Sequence, residues 1–260
     1  MFYMSPILIG SCASLAAGMA TGVGAAFVFF IKKMNEKLED LLLGTAAGVM
    51  LAASFFSLIL PSIESGTEIY HNKIIAIAVT TVTFLIGAAV VWLINEYVPH
   101  EHFIMGHEGG DAGQLKKIWL FIIAITIHNF PEGMAVGVAF GGNNIADGIP
   151  IAVGIGLQNI PEGLAVSLAL IGQGYKRTKS FIIGLITGLV EPIGGIIGIS
   201  AVSVFLKLLP GGLAFAAGAM IFIISHEIVP ETHRRGHHNA ATLGLLLGFS
   251  VMMVLDVLLG

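Results

Sequence analysis

Cysteine is almost missing: Cys12 is the only one in 260 residues, which excludes an intrachain disulfide and, taken alone, a thiolate metal cage. Charge is scarce as well. Asp, Glu, Lys and Arg make up 11% of the chain, against roughly 25% in soluble domains. Lys and Arg nowhere run beyond short clusters, and the net charge is −4, so the sequence offers no electrostatic footprint for nucleic acid. The first apolar run, 5–31, lacks an obvious small-residue cleavage site and exceeds the roughly 7–15 residues of a signal-peptide core, which reads as a retained span. What fills the chain instead is apolar: 56% of residues are hydrophobic and the mean hydropathy is +0.92. That composition predicts an all-α integral membrane protein.

Crossing the hydrocarbon takes about 20 mostly apolar residues. Stretches of that kind lie at 5–31, 41–62, 74–98, 118–140, 149–173, 180–206, 210–229 and 241–259, so the chain reads as eight transmembrane helices in one polytopic domain, 1–260, with no soluble domain left over. The longest connection, 99–117, holds "HEHFIMGHEGGDAG", has no sustained helical period, and is expected to be a mobile loop. Lys32, Lys33, Lys37, Lys116, Lys117, Lys176, Arg177, Lys179, Arg234 and Arg235 all fall in odd-numbered connections, and only Lys73 and Lys207 lie opposite. The positive-inside rule then places the odd connections, including 99–117, in the cytoplasm and both termini outside. The expected location is a plasma membrane, a bacterial inner membrane, with lipid as surroundings. Glycines at four-residue spacing, such as Gly44 and Gly48, suit close helix packing in lipid.

Polar residues recur where lipid should exclude them. The fourth stretch contains "HNFPEG" and the fifth "QNIPEG". In the first, His128, Asn129 and Glu132 share one helical face, and the second repeats the arrangement with Gln158, Asn159 and Glu162. Pro131 and Pro161 remove backbone donors and free the carbonyls of Ile127 and Leu157, which in lipid need a cavity or a cation. Glu191, in "LVEPIGG" of the sixth stretch, lies at the same depth. A charge there costs at least roughly 2.5–3.5 kcal/mol, and three mutually repelling carboxylates cost more. A divalent cation offsets both terms, and imidazole, amide and carboxylate donors suit Zn, Fe, Mn or Co. Single residues of this kind can instead be protonated and bonded to a neighbouring helix. Met50, in "GVMLAAS", reads on sequence alone as routine core filler before it reads as a ligand.

The set "HNFPEGMAVG", "GLQNIPEGLAV", "GLVEPIGG", "GVMLAASFFSLILP" and "SHEIVPETHRRGH" resembles the ZIP (Zrt/Irt-like) metal-ion transporters, in the prokaryotic GufA-like branch, over essentially the whole chain. The resemblance implies a 3+2+3 arrangement in which the first and last three spans are inverted repeats around a central pair; the sequence shows the central duplication but no evident outer repeat. It implies a binuclear metal centre, with His128, Glu132, Gln158, Glu162 and Met50 around one ion. Asn129, Asn159 and Glu191 would serve a second, with Glu132 and Glu162 bridging. In the family the position of Asn159 can be an aspartate; here one negative charge is missing. Two transported divalent ions per centre, no resident cofactor, and a homodimer are expected.

The function this implies is import of divalent transition metal, zinc foremost and iron, manganese, cobalt or cadmium besides, by alternating access. Ser57, Glu64 and Asp256 would line the entrance; His100, His226 and Glu227 would line the exit. An intramembrane metalloenzyme is the alternative, but "HEIVPETH" has Pro230 where the HExxH pattern needs histidine. A metal-gated receptor or scaffold is a second alternative. Metal flux into sealed vesicles separates the three.

Overall fold

A computed structural model describes residues 5–31, 35–98, 100–102, 106–108, 117–142, 145–172, 174–233 and 236–259. Of the basic residues that set sidedness, Lys32, Lys33, Lys116, Arg234 and Arg235 lie outside them.

Among the described residues the chain forms eight long helical segments, seven of them long and apolar enough to cross a membrane. The first is Pro6–Phe29, the second Glu36–Tyr70, the third Lys73–Tyr97, the fourth Lys117–Ala139 and the fifth Ile149–Gly172. The sixth is Arg177–Val204, the seventh Leu206–His233 and the eighth His238–Leu259. Polar caps mark several starts: Ser5 accepts from the Leu8 amide, Asn35 from Lys37, and Asn72 from Ile74 and Ile75, each satisfying amides that a helix leaves orphaned. Turns at Gly174 (φ 89°) and Gly236 (φ 83°) precede the sixth and eighth spans, a left-handed conformation that glycine adopts without a Cβ penalty.

The second span runs well beyond the expected 41–62. Pro61 does not end it, because a π-helical segment, Ser54–Ile59, absorbs the missing hydrogen bond before helix resumes at Leu60–Tyr70. A second π-helical segment, Ile224–Ile228, precedes Pro230 in the seventh span. The sixth span breaks at Leu189 and Val190, so that Glu191 opens a new helix, Glu191–Val204. Part of the expected loop 99–117 is an antiparallel hairpin, β1 (His100–His102) with β2 (Gly106–Glu108); its alternation is too short to announce a strand by period.

Glycine decides which helices meet. A Cβ on Gly48 would overlap the Leu245 carbonyl, and one on Gly248 the Thr45 carbonyl, which locks the second span to the eighth. Gly218 stands the same way against the Phe84 carbonyl and Gly87 against that of Phe215, locking the seventh span to the third. In the other half Gly24 meets the Ile160 carbonyl and Gly163 that of Thr21, between the first and fifth spans. Gly194 meets the Phe130 carbonyl and Gly133 that of Glu191, between the sixth and fourth. The partners match at fixed offsets: Gly24 with Gly194, Gly48 with Gly218, Phe84 with Leu245, Gly87 with Gly248, Gly133 with Gly163. This register exposes an outer repeat in the sequence after all, "AAGVML" from Ala46 against "AAGAMI" from Ala216. Long apolar side chains such as Ile74, Leu85, Ile193, Val204 and Leu246 face outward, as a lipid-facing surface requires.

Candidate metal centre

The duplicated motifs sit inside uninterrupted helix: Lys117–Ala139 continues through Pro131 and Ile149–Gly172 through Pro161. Gly133 and Gly163, the last residues of the two motifs, let the sixth and first spans approach until backbone touches backbone. That close approach brings Glu191 to the central pair.

Here the amide nitrogens are all committed. Gln158 Nε2 donates to Glu132 Oε1 at 2.6 Å. Asn159 Nδ2 donates to Glu191 Oε1 at 2.7 Å and to the Ala17 carbonyl at 2.9 Å. Asn129 Nδ2 donates to the Thr187 carbonyl at 3.1 Å. A backbone carbonyl cannot donate, so the bonds to Thr187 and Ala17 fix which way the Asn129 and Asn159 amides are turned, while Gln158 turns its nitrogen to a carboxylate oxygen. The opposite ends are therefore acceptors: Asn129 Oδ1, Gln158 Oε1, Asn159 Oδ1, Glu132 Oε2 and Glu191 Oε2 are buried and have no protein hydrogen-bond partner. Five buried acceptor oxygens drawn from three spans have no counterpart donor, and leaving each so is costly. Glu132, Glu162 and Glu191 lie near enough to repel one another, while His128 attracts Glu162. Among the described residues no three His, Cys, Asp or Glu side chains form a metal cage by themselves; the donor set is complete only with the amide oxygens, a composition that hard and borderline divalent cations accept.

Met50 is buried, as is Ser54, whose hydroxyl donates to the Met50 carbonyl at 2.8 Å. Glu227, expected at a separate release point, lies against the centre: its Oε2 is 2.8 Å from His128 Nε2, and it is 2% exposed. The π-helical turn that carries it shifts its side chain off the regular register, which helical periodicity could not foretell. Its neighbour His226 is exposed and stacked on Phe222. His100 lies in β1.

At the other end Ser57 donates a hydrogen bond to Asp256 Oδ1, joining the second and eighth spans. A cavity of about 160 Å³ begins at Ser57 and passes Glu64, Ser65, Glu68 and Asp147. Ser57 and Glu64 were expected there. Asp147 was not; it stands in the short helical turn Ile145–Gly148 leading into the fifth span, and the only signal for it was an acid placed beside a span on the presumed outer side.

A model of the ZIP zinc transporter family matches residues 100–256. Among curated proteins, zinc transporter ZIPB of Bordetella bronchiseptica is 41% identical over 253 residues, covering 97% of this chain and 81% of its own. Zinc transporter GufA of Myxococcus xanthus is 42% identical over 251 residues, covering 96% of this chain and 99% of its own. Zinc transporter ZupT of Clostridium perfringens is 36% identical over 276 residues, covering 96% of each.

Proposed function

The chain belongs to the ZIP family of metal transporters, and from that premise we propose that it carries divalent transition-metal ions, zinc foremost, into the cytoplasm by alternating access through the centre between its fourth and fifth spans. As a member of a transporter family it is a carrier and not an intramembrane enzyme. One observation carries the assignment of the centre: five buried oxygens on residues from three spans lack a donor, while the opposite ends of the same side chains are held by hydrogen bonds. A cation is the partner that such a set of acceptors fits.

The centre is read as binuclear. His128, Glu132, Gln158 and Glu162, with Met50, serve one ion; Asn129, Asn159 and Glu191 serve the other, with Glu132 and Glu162 shared. Glu227 adds a carboxylate on the His128 side, within reach of an ion leaving towards His226 and the hairpin. The cavity past Ser57 and Glu64 is the entrance. The matched offsets among glycine contacts support an inverted 3+2+3 repeat, the architecture in which two facings arise by exchanging the conformations of the halves. Odd connections in the cytoplasm, both termini outside, a bacterial inner membrane and a homodimer complete the proposal.

Zinc uptake into proteoliposomes, with iron, manganese, cobalt and cadmium as competitors, tests the reading; metal binding without any flux would replace it with a scaffold or receptor. Acid supplies a second test. The ligands bind metal only when deprotonated, so uptake is expected to fall as external pH is lowered and to recover with added zinc. Inhibition that excess zinc does not relieve would place the acid-sensitive step elsewhere. A third concerns the amide at 159. Asn159→Asp restores a carboxylate beside Glu191 and is expected to strengthen the second ion's binding by about tenfold or more, the scale of a charge-assisted ligand contact, while slowing its release. Calorimetry reading the same stoichiometry and the same affinities as the parent would remove residue 159 from the coordination shell.

A further inference from the structure

Among the described residues, the two π-helical segments occupy corresponding places in the two outer halves, and each holds a polar side chain in contact with another span. The offset that matches Gly48 with Gly218 also matches Met50 with Met220 and Ser57 with Glu227. The offset that matches Phe84 with Leu245 and Gly87 with Gly248 matches Asn95 with Asp256. In the central duplication His128 matches Gln158. The contacts these residues make are not symmetric. His128 meets Glu227, yet the mirrored pair, Gln158 with Ser57, is not formed: Gln158 is turned to Glu132 and Ser57 to Asp256. Gln158 Oε1 is left without a partner, and so is Oδ1 of Asn95, which is 5% exposed.

We propose that this asymmetry is one setting of a switch and that Asn95 is a positioning residue for the other setting. When the halves exchange conformations, Ser57 leaves Asp256 and donates to Gln158 Oε1, while Glu227 leaves His128 and accepts a hydrogen bond from Asn95 Nδ2, the counterpart of the bond Ser57 donates to Asp256 here. The π-helical segments make the exchange feasible: a π turn carries an extra residue whose backbone bonds can be re-registered without unwinding the span. Ser57 and Glu227 thus move between a central ligand and an outer-helix partner in opposite phase. Asn95 and Asp256 set the balance between the two facings. This inference rests on the alternating-access reading.

Cysteines at the mirrored contact test it, introduced as Ser57→Cys with Gln158→Cys in a Cys12→Ser chain reconstituted into vesicles. A short bifunctional maleimide is expected to join them. Asn95→Ala, which removes a partner from the unseen setting, should lower the yield, and Asp256→Ala, which removes one from the setting seen here, should raise it. Each shift should be about three- to tenfold in the ratio of the two states, the change one lost hydrogen bond makes. The same two substitutions are read a second time with Ser57 and Gln158 intact, as opposite changes in the labelling rate of Glu64→Cys by an impermeant maleimide. Absence of the crosslink in every background overturns the exchange, and so do shifts of equal sign or no shift in labelling. Zinc uptake is measured separately, on vesicles of the chain with Ser57, Gln158, Asn95 and Asp256 intact: no uptake there with the opposite shifts retained would fault the transport reading and leave the switch in place.

Discussion

Replacing Glu132 by glutamine is expected to reduce zinc uptake by more than the roughly 10–100-fold that follows loss of an outer-shell partner of a metal site, while leaving the protein folded. Glu132 is the side chain where the proposed ions and the central hydrogen bonds meet: Oε1 accepts from Gln158 and Oε2 is buried without a donor. Glutamine keeps an oxygen for Gln158 and removes the negative charge. Alanine would instead strand the Gln158 amide, an unsatisfied buried group worth about 1–3 kcal/mol, and so would mix a folding defect with a transport defect. Glu162→Gln is expected to behave in the same way, since Glu162 is the other carboxylate proposed to be shared by both ions. His128→Ala should leave residual uptake with altered preference among metals, because oxygen ligands remain while the imidazole, which favours zinc over manganese, is gone. Uptake by Glu132→Gln at submicromolar zinc equal to that of the parent would remove Glu132 from the transport path.

The apolar stretches and the polar motifs of the two central helices are legible in the sequence because both are local signals. Apolar length alone gives a span, and "HNFPEG" with "QNIPEG" puts three donors on one face of each central helix. Three features were not legible there, for physical reasons. The outer repeat survives mainly as "AAGVML" and "AAGAMI", since a lipid-facing position accepts almost any apolar residue and only the backbone-touching glycines are constrained. Glu227 was read from its place at the end of the seventh span, which carries no sign that the π turn Ile224–Ile228 brings its side chain against His128. Asp147 was missed because nothing in its own segment shows that the second span extends as far as Tyr70 and closes a cavity against it. Each of these features depends on contact between distant segments, whereas each polar motif lies within one helix.

The second large effect belongs to a glycine that carries no chemistry. Gly133→Ala is expected to destabilise the protein by at least about 1–3 kcal/mol, the usual penalty of overpacking, and to abolish uptake in whatever protein still folds. The added Cβ would overlap the carbonyl, the carbonyl carbon and the Cα of Glu191, all backbone, so no side-chain rotamer can relieve it. Either the sixth span moves away from the fourth or the helix at Glu191 unwinds. Both outcomes draw Glu191 from Asn159, whose amide bridges it to the Ala17 carbonyl of the first span. The mirrored substitution, Gly163→Ala, overlaps the Thr21 carbonyl and presses on the first span instead, where no carboxylate is displaced. Gly174→Ala serves as the control: a Cβ there meets nothing, and its cost is confined to the left-handed backbone. Thermal unfolding in detergent together with calorimetric zinc binding separates the three. Gly133→Ala should lose stability and the ion held by Glu191, Gly163→Ala should lose stability while keeping more of that binding, and Gly174→Ala should bind as the parent does. Normal stability and stoichiometry in Gly133→Ala would mean that the fourth and sixth spans are not packed backbone to backbone, and the placement of Glu191 in the centre would fall with that contact.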